Sequence, residues 1–138
     1  MPCVFCEVLA NSELQIYRDE QVTILLDHDP ISIGHVLIIP NDHWVDLDEM
    51  PTDLINWIFQ LAGKYVGLLK KQYQPAGYSI MQNGGVFNDI GHFHLHIFPR
   101  FSKEDFGWTY TEKVDPKATD FVGIKQLIQT SLRESLKQ

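Results

Sequence analysis

Three of the six histidines fall within one short segment, His92-Phe93-His94-Leu95-His96, in strict alternation with apolar residues. A β-strand repeats every two residues, so a strand here places the three imidazoles on one face and Phe93 and Leu95 on the other. Neighbouring imidazoles then lie about 6.5–7 Å apart along the strand. We expect the apolar face to belong to the core and the imidazoles to line a surface or a cleft.

Imidazoles in this arrangement allow three interpretations. The first is a solvated strand face. The second is a metal site, because histidines at i and i+2 can converge on one ion and activate water; such sites usually add a carboxylate soon after, and the first acid here is Glu104. The third is a nucleophile or general base oriented by its neighbours, since neutral imidazole can bond covalently to a phosphoryl group.

The elements that position this segment are predicted from hydrophobic periodicity and turn residues. Strands are expected over 14–18, 21–27, 33–40, 78–82 and 91–98, a short helix or turn over 3–9, and an amphipathic helix over 117–136. A long helix begins near Pro51 and ends before Pro75 and Gly77. Its apolar residues recur at helical spacing: Leu54, Trp57, Ile58, Leu61, Tyr65, Leu68 and Leu69. The predicted fold class is α+β, an antiparallel sheet of about five strands with one long helix and a C-terminal helix, the helices packing on one face.

Length and composition predict one globular domain over residues 1–138, with a motif core over about 3–100 and a C-terminal segment over 101–138. The chain has 138 residues, of which 44% are hydrophobic and 21% charged, which excludes disorder as the main state. A net charge of −7 argues against nucleic acid and membrane surfaces as partners. With no signal sequence visible and only two cysteines, we expect a cytoplasmic protein with reduced thiols.

The two cysteines form Cys3-x-x-Cys6, which is half of a metal site. A thioredoxin-like redox pair is one alternative, but it needs a strand before the motif and Cys3 is only two residues from the start. Unliganded structural cysteines are another. A closed tetrahedral zinc site needs two further ligands.

Taken together, the motifs resemble those of the histidine triad (HIT) family of nucleotide hydrolases and transferases, in its zinc-binding bacterial-type branch. The resemblance covers about residues 3–100 and keeps the family's order. It comprises Cys3-x-x-Cys6, Leu26-Asp27, the segment 34–40 followed by His43, Asn83-Gly84-Gly85, and the triad itself. The resemblance implies a HIT-like fold and a homodimer.

For activity, the resemblance implies that His94 attacks the α-phosphorus of a purine nucleotide. The resulting nucleotidyl-histidine is hydrolysed by water, after an amine, carboxylate or phosphate has departed. His96 would contact the phosphate and stabilise charge there. The implied substrates are nucleoside phosphoramidates, acyl-adenylates or dinucleoside polyphosphates. A nucleotide-binding sensor or partner-binding module with little turnover is the alternative.

The same resemblance assigns the nucleotide-binding residues. Asp27 would accept hydrogen bonds from both ribose hydroxyls. Phe5, Leu26 and His28 would lie near the base, and Asn83 would contact phosphate or ribose. Each of these positions also has an ordinary structural interpretation, as a turn or packing residue.

One departure from the family pattern precedes the triad. Many members have Gln-Ser or Gln-Thr there, whereas this chain has Asn88-Asp89. Asn88 keeps the amide expected to take part in catalysis and phosphate binding, while Asp89 puts a carboxylate where a hydroxyl would bind the leaving group. His35 is expected beside the triad. Arg100 meets a distal phosphate or is solvated, and Trp108 either shapes the site or belongs to the core.

Family members with the cysteine pair bind structural zinc through two Cys, a His after the third strand and the first triad His. Here those positions are Cys3, Cys6, His43 and His92. The resemblance therefore implies that the three triad histidines have different roles, with His92 binding the metal.

Overall fold

The computed structural model describes residues 3–11, 13–111 and 115–137, apart from the side chains of residues 8–11. The chain divides into two compact units, Met1–Gly107 and Trp108–Gln138. Each unit is described by itself, and the single domain over 1–138 stays a prediction. None of the helices within the described ranges combines the length and apolarity needed to cross a membrane.

The first unit is a five-stranded antiparallel sheet with two α-helices. Its elements are α1 (Val4–Asn11), β1 (Gln15–Arg18), β2 (Val22–Leu26), β3 (Val36–Pro40), α2 (Thr52–Tyr73), β4 (Gly77–Met81) and β5 (Leu95–Arg100), with 3-10 turns at Leu47–Glu49 and Gly85–Phe87. The strand order is β1-β2-β3-β5-β4 and every pairing is antiparallel. The predicted fold class is thus confirmed.

Helix α2 covers one face of the sheet. It ends at Gln74, which adopts the left-handed conformation (φ 49°) and whose N–H donates to the Lys70 carbonyl. Its buried residues are Leu54, Ile58, Leu61, Ala62, Val66 and Leu69, and they pack with Val36, Ile38, Phe93, Leu95 and Ile97. Leu68, predicted on the buried side, is 51% exposed because it lies at the edge of this apolar stripe.

The opposite face is also covered, so the expectation that helices pack on one face only is wrong. Phe5 of α1 packs there against Leu25, Leu37 and Ile39. The physical reason is that β3 is an unbroken apolar run, which leaves both of its faces to be buried. The triad lies on this second face.

Strand β5 begins at Leu95 rather than at the predicted residue 91. Gly91 has a φ of +70°, which favours glycine and turns the chain before the triad. Between Gly91 and Leu95 the main chain lies beside a loop rather than beside β3. The Phe93 N–H, for example, donates to the Trp44 carbonyl in that loop (2.7 Å). Side chains nevertheless alternate as predicted, since Phe93, Leu95 and Ile97 are all in the core.

The second unit contains a 3-10 turn (Pro116–Thr119) and helix α3 (Phe121–Leu136). The Asp120 carboxylate accepts a hydrogen bond from the Gly123 N–H (3.2 Å) and so caps the helix. This cap explains why α3 starts four residues later than the predicted 117. Trp108 is 75% exposed, so it is not a core residue.

Candidate active site

A pocket of about 560 Å³ opens on the α1 side of the sheet within the first unit. This volume is typical of small-molecule sites. Eight residues predicted from the sequence line it: Phe5, Leu26, Asp27, His28, Asn83, Asp89, His94 and His96. The structure thus brings together residues from five separate stretches of the chain.

Other lining residues were not predicted to belong to the site. They are Val4, Leu14, Leu25, Asp29, Leu37, Met81, Phe87 and Ile90. For Leu37 and Met81 the strand register explains the position, because both pair with His96 from the strands on either side of β5. The two-residue period of a strand was the signal that could have revealed Leu25 and Leu37, because Leu25 shares a face with Asp27 and Leu37 with His35.

His92 is fully buried and its ring orientation is fixed by the main chain. Its Nε2 lies 2.8 Å from the Pro40 carbonyl oxygen. A carbonyl only accepts, so Nε2 carries the proton and Nδ1 keeps its lone pair. Burial lowers the pKa of His92, so the ring is neutral. Its Nδ1 faces two thiols, Cys3 Sγ at 3.3 Å and Cys6 Sγ at 3.5 Å.

These three residues and His43 form a compact group, which we call the Cys/His cluster (Cys3, Cys6, His43 and His92). His43 Nδ1 lies 3.4 Å from Cys6 Sγ, and all four ligand atoms are within 4.8 Å of one another. Sulfur and nitrogen ligands of one tetrahedral zinc lie about 3.6 Å apart. The cluster could therefore hold one metal ion with little rearrangement.

His94 presents the opposite ring nitrogen. Its Nδ1 lies 2.8 Å from the His92 carbonyl oxygen, so Nδ1 carries the proton and donates it. The lone pair is then on Nε2. The ring is only 4% exposed, and the edge of Phe5 packs on it with a centroid distance of 5.1 Å. Because His94 lines the pocket, its imidazole is a candidate nucleophile for a bound molecule.

A chain of hydrogen bonds fixes the tautomer of His96. The Ile31 N–H donates to His35 Nδ1 (3.0 Å), so the single proton of neutral His35 is on Nε2. That Nε2–H lies 2.9 Å from His96 Nδ1, which must accept it. His96 therefore carries its own proton on Nε2. His35 itself is buried and does not line the pocket.

Both rings of this pair are neutral at pH 7. Burial lowers the pKa of His35, partly opposed by the carboxylate of Asp27. Burial and the neighbouring rings of His94 and His35 lower the pKa of His96 to about 4, while Asp27 and Asp89 oppose this shift. A neutral His96 can donate one hydrogen bond from Nε2 without bringing a charge.

Asp27 lies beside the pair, with Oδ2 at 3.4 Å from His35 Nε2 and 3.7 Å from His96 Nδ1. Three such side chains can also hold a metal ion. Here the Nδ1 lone pairs of both imidazoles already accept hydrogen bonds, so the group is a hydrogen-bonded network. Asp27 Oδ1 accepts from the Asp29 N–H (2.9 Å), which orients the carboxylate at the pocket wall.

Two predicted residues point away from the pocket. Asn88 Oδ1 accepts from the Gly91 N–H (3.0 Å) and its Nδ2 donates to the Val45 carbonyl (3.4 Å), so the amide holds the turn before the triad. Arg100 donates to Ser79 Oγ (3.3 Å) and to the Phe106 carbonyl (2.9 Å). Neither lines the pocket, and their contacts with substrate stay predictions.

Comparison with known proteins identifies the class of protein. The family model of the HIT domain matches residues 9–103, most of the chain, and the protein belongs to this family. Protein hit of Bacillus subtilis is 30% identical over 139 residues, covering 96% of each chain. Adenylylsulfatase HINT3 of Arabidopsis thaliana is 28% identical, covering 96% of this chain and 72% of that protein.

Solved structures agree with this assignment. A HIT family protein from Bacillus subtilis has a TM-score of 0.78 at 27% identity, covering 94% of this chain and 96% of its own. A histidine triad nucleotide-binding protein from Candida albicans has a TM-score of 0.76 at 28% identity and 99% coverage of both chains. A Zn-bound histidine triad family protein from Mycobacterium smegmatis has a TM-score of 0.67 at 25% identity and 98% coverage of both.

Proposed function

We propose that the protein hydrolyses purine nucleotides at the α-phosphate through a nucleotidyl intermediate on His94. One observation carries the proposal, namely the hydrogen bond from His94 Nδ1 to the His92 carbonyl oxygen. In the neutral ring this bond leaves the lone pair on Nε2, inside the pocket, which is what nucleophilic attack on phosphorus requires. The name of the Arabidopsis relative, an adenylylsulfatase, supports a nucleotide hydrolase.

The proposed reaction has two steps. In the first, His94 Nε2 bonds to the α-phosphorus and the bond to the leaving group breaks, with its electron pair going to the leaving atom. In the second, water attacks the phosphorus, and the nucleotide leaves while the ring recovers its lone pair. The His96 Nε2–H would donate to a phosphoryl oxygen and stabilise the charge that develops there.

Binding of the nucleotide is assigned to the other pocket residues. Asp27 would accept from the ribose hydroxyls, because its carboxylate lies at the pocket wall and is only 13% exposed. Phe5, Leu26 and His28 would surround the base, and Asn83 would contact ribose or phosphate. The Candida neighbour, a nucleotide-binding protein by name, supports this assignment.

We also propose that the Cys/His cluster binds structural zinc. Its ligand spacing suits a tetrahedral ion, and the Mycobacterium neighbour is a Zn-bound member of the family. Zinc there would hold α1, the loop after β3 and the triad segment together. Because His92 belongs to the cluster, the cluster would hold the chain two residues before His94.

Two further parts of the proposal concern assembly and location. A homodimer is supported by β4, an edge strand whose Tyr78 and Ile80 are exposed. A cytoplasmic location is supported by the two cysteines, which form no disulfide and are the proposed zinc ligands. Sedimentation of the purified protein tests the first, and fractionation of cells tests the second.

Intact-protein mass after brief mixing with substrate tests the catalytic proposal. The substrates are an adenosine phosphoramidate, adenylyl sulfate and a diadenosine polyphosphate, each with the native protein, His94→Ala and His96→Ala. We expect one nucleotidyl addition in the native protein, retained in His96→Ala and absent from His94→Ala. Nucleotide binding without adduct or release would support the sensor alternative instead.

A further inference from the structure

Asp89 lies in the pocket at a position that no step of the proposed reaction uses. It lines this pocket together with His94 and His96, and the residue is exposed to solvent. Its negative charge opposes the lowering of the His96 pKa. The carboxylate therefore lies in the same pocket as the side chain proposed to attack phosphorus.

The charged side chains that line this pocket are acidic, although the pocket would receive phosphates. Asp27, Asp29 and Asp89 all line it, and none of the described lining residues is Lys or Arg. The nearest cation along the triad strand, Arg100, donates to Ser79 and Phe106 outside the pocket. Since His96 is neutral, the carboxylates that line the pocket are not offset by a charge on that ring.

From this placement we propose that Asp89 determines which leaving group the site releases, selecting amines over carboxylates and polyphosphates. The inference rests on the proposed function, because it concerns the leaving group of that reaction. A polyphosphate carries several negative charges and would be repelled by Asp89. The nitrogen of an amine leaving group gains positive charge when it takes up a proton before it departs, and Asp89 stabilises that charge.

The step for an amine leaving group is balanced as follows. His94 Nε2 forms a bond to phosphorus and the P–N bond breaks, with its electron pair staying on nitrogen. The nitrogen takes one proton from solvent before this bond breaks, so it is positively charged while still attached to phosphorus, and it leaves as the neutral amine. The Asp89 carboxylate therefore faces a cation rather than an anion while the P–N bond breaks.

Asp89 is a better candidate for this selection than the other two acids. Asp27 is held by the Asp29 N–H and lies against His35, at the position proposed for ribose. Asp29 lines the pocket but has no resolved effect on His96. Asp29 therefore provides a matched control, since its removal takes one negative charge from the same pocket.

The test compares kcat/KM for an adenosine phosphoramidate of an alkylamine with kcat/KM for diadenosine tetraphosphate. The variants are Asp89→Asn, Asp89→Glu and the control Asp29→Asn. We expect Asp89→Asn to lower the ratio of the two values about fivefold to tenfold, as expected for one exposed charge near the reacting atoms. Asp89→Glu should keep most of the preference for the phosphoramidate, and Asp29→Asn should leave that preference unchanged. Added salt should weaken the preference only in the proteins that have an acid at residue 89.

An unchanged ratio in Asp89→Asn, or an equal change in Asp29→Asn, would overturn the assignment to Asp89 even if the His94 adduct forms normally. Absence of any adduct and any turnover in the native protein would instead show that the proposed hydrolase function is wrong, and this inference with it. The mass of the intact protein distinguishes the two failures.

Discussion

His92 and His94 are separated by one residue and are both buried, yet they present opposite ring nitrogens to their surroundings. In His92 the Nε2–H is bound to the Pro40 carbonyl and the Nδ1 lone pair faces thiols. In His94 the Nδ1–H is bound to the His92 carbonyl, and Nε2 keeps the lone pair. Two main-chain carbonyls therefore fix opposite tautomers in two identical side chains, one in the Cys/His cluster and one at the position of the proposed nucleophile.

His96 extends the comparison, because its tautomer is set by another side chain. Its Nδ1 accepts from His35, whose own tautomer follows from the Ile31 N–H. The tautomer of His92 thus depends on a direct main-chain contact, while that of His96 depends on a relay through His35. We expect substitutions in the Cys/His cluster and in this relay to have separable effects on stability and on turnover.

The largest expected effect is on turnover at His94. His94→Gln should reduce kcat by at least about 10⁴-fold, because a side-chain amide lacks the nucleophilic nitrogen of imidazole. Metal content should stay as in the native protein, since His94 is outside the Cys/His cluster. Loss of metal together with activity would show that the two sites are not separable.

The next largest effect is on stability at the Cys/His cluster. Cys6→Ser should abolish stoichiometric zinc binding and lower the free energy of unfolding by roughly 3–5 kcal/mol, because metal binding is coupled to folding. Elemental analysis and urea unfolding would measure the two changes. Glu7→Gln, an exposed neighbour on α1, is the control and should keep both properties. A chelator should destabilise the native protein but not Cys6→Ser, and equal effects on both would contradict zinc at this cluster.

A smaller effect is expected at the relay. His35→Leu removes the donor to His96 Nδ1, so His96 is free to adopt either tautomer. We expect kcat to fall about tenfold to a hundredfold through misplacement of the Nε2–H. Nitrogen chemical shifts should change from one His96 tautomer to a mixture, a readout that lost packing alone would not move. His35→Gln, which can still donate, should recover part of the activity, whereas an unchanged His96 tautomer in His35→Leu would disprove the relay.

Much of this architecture could be predicted because it depends on local periodicity. Alternation of His with Phe93 and Leu95 placed the triad on one face, and the spacing of apolar residues identified α2. The resemblance of ordered motifs then singled out eight residues that the structure brings into one pocket. These predictions agree with the structure because the burial of apolar side chains determines which face of each strand points to the core.

The remainder depends on contacts between distant parts of the chain. Periodicity did not show that Phe5 would cover the triad face or that β5 would begin at Leu95. Main-chain partners such as the Pro40 carbonyl and the Ile31 N–H have no side-chain signature, so the tautomers could not be predicted. Arg100 was aligned with the triad strand, but the carbonyl that binds it belongs to a loop beyond the strand.

The smallest expected effect is the pH dependence of stability that arises from His96. Its pKa is about 4 in the folded protein and 6.5 when unperturbed. Between these values the unfolded chain binds a proton that the folded protein does not, so the free energy of unfolding falls as the pH drops from 6.5 to 4. The full loss is on the order of 2–3 kcal/mol for a ring that is mostly buried.

His96→Gln removes this contribution and should make the free energy of unfolding less dependent on pH over that interval. Urea unfolding at several pH values, with the same zinc concentration for both proteins, measures the difference. Protonation of the Cys/His cluster is common to both proteins and cancels in the comparison. Parallel pH profiles for the two proteins would mean that folding does not lower the pKa of His96, so that the ring is protonated below about pH 6.5 and its Nδ1 cannot accept the hydrogen bond from His35 there.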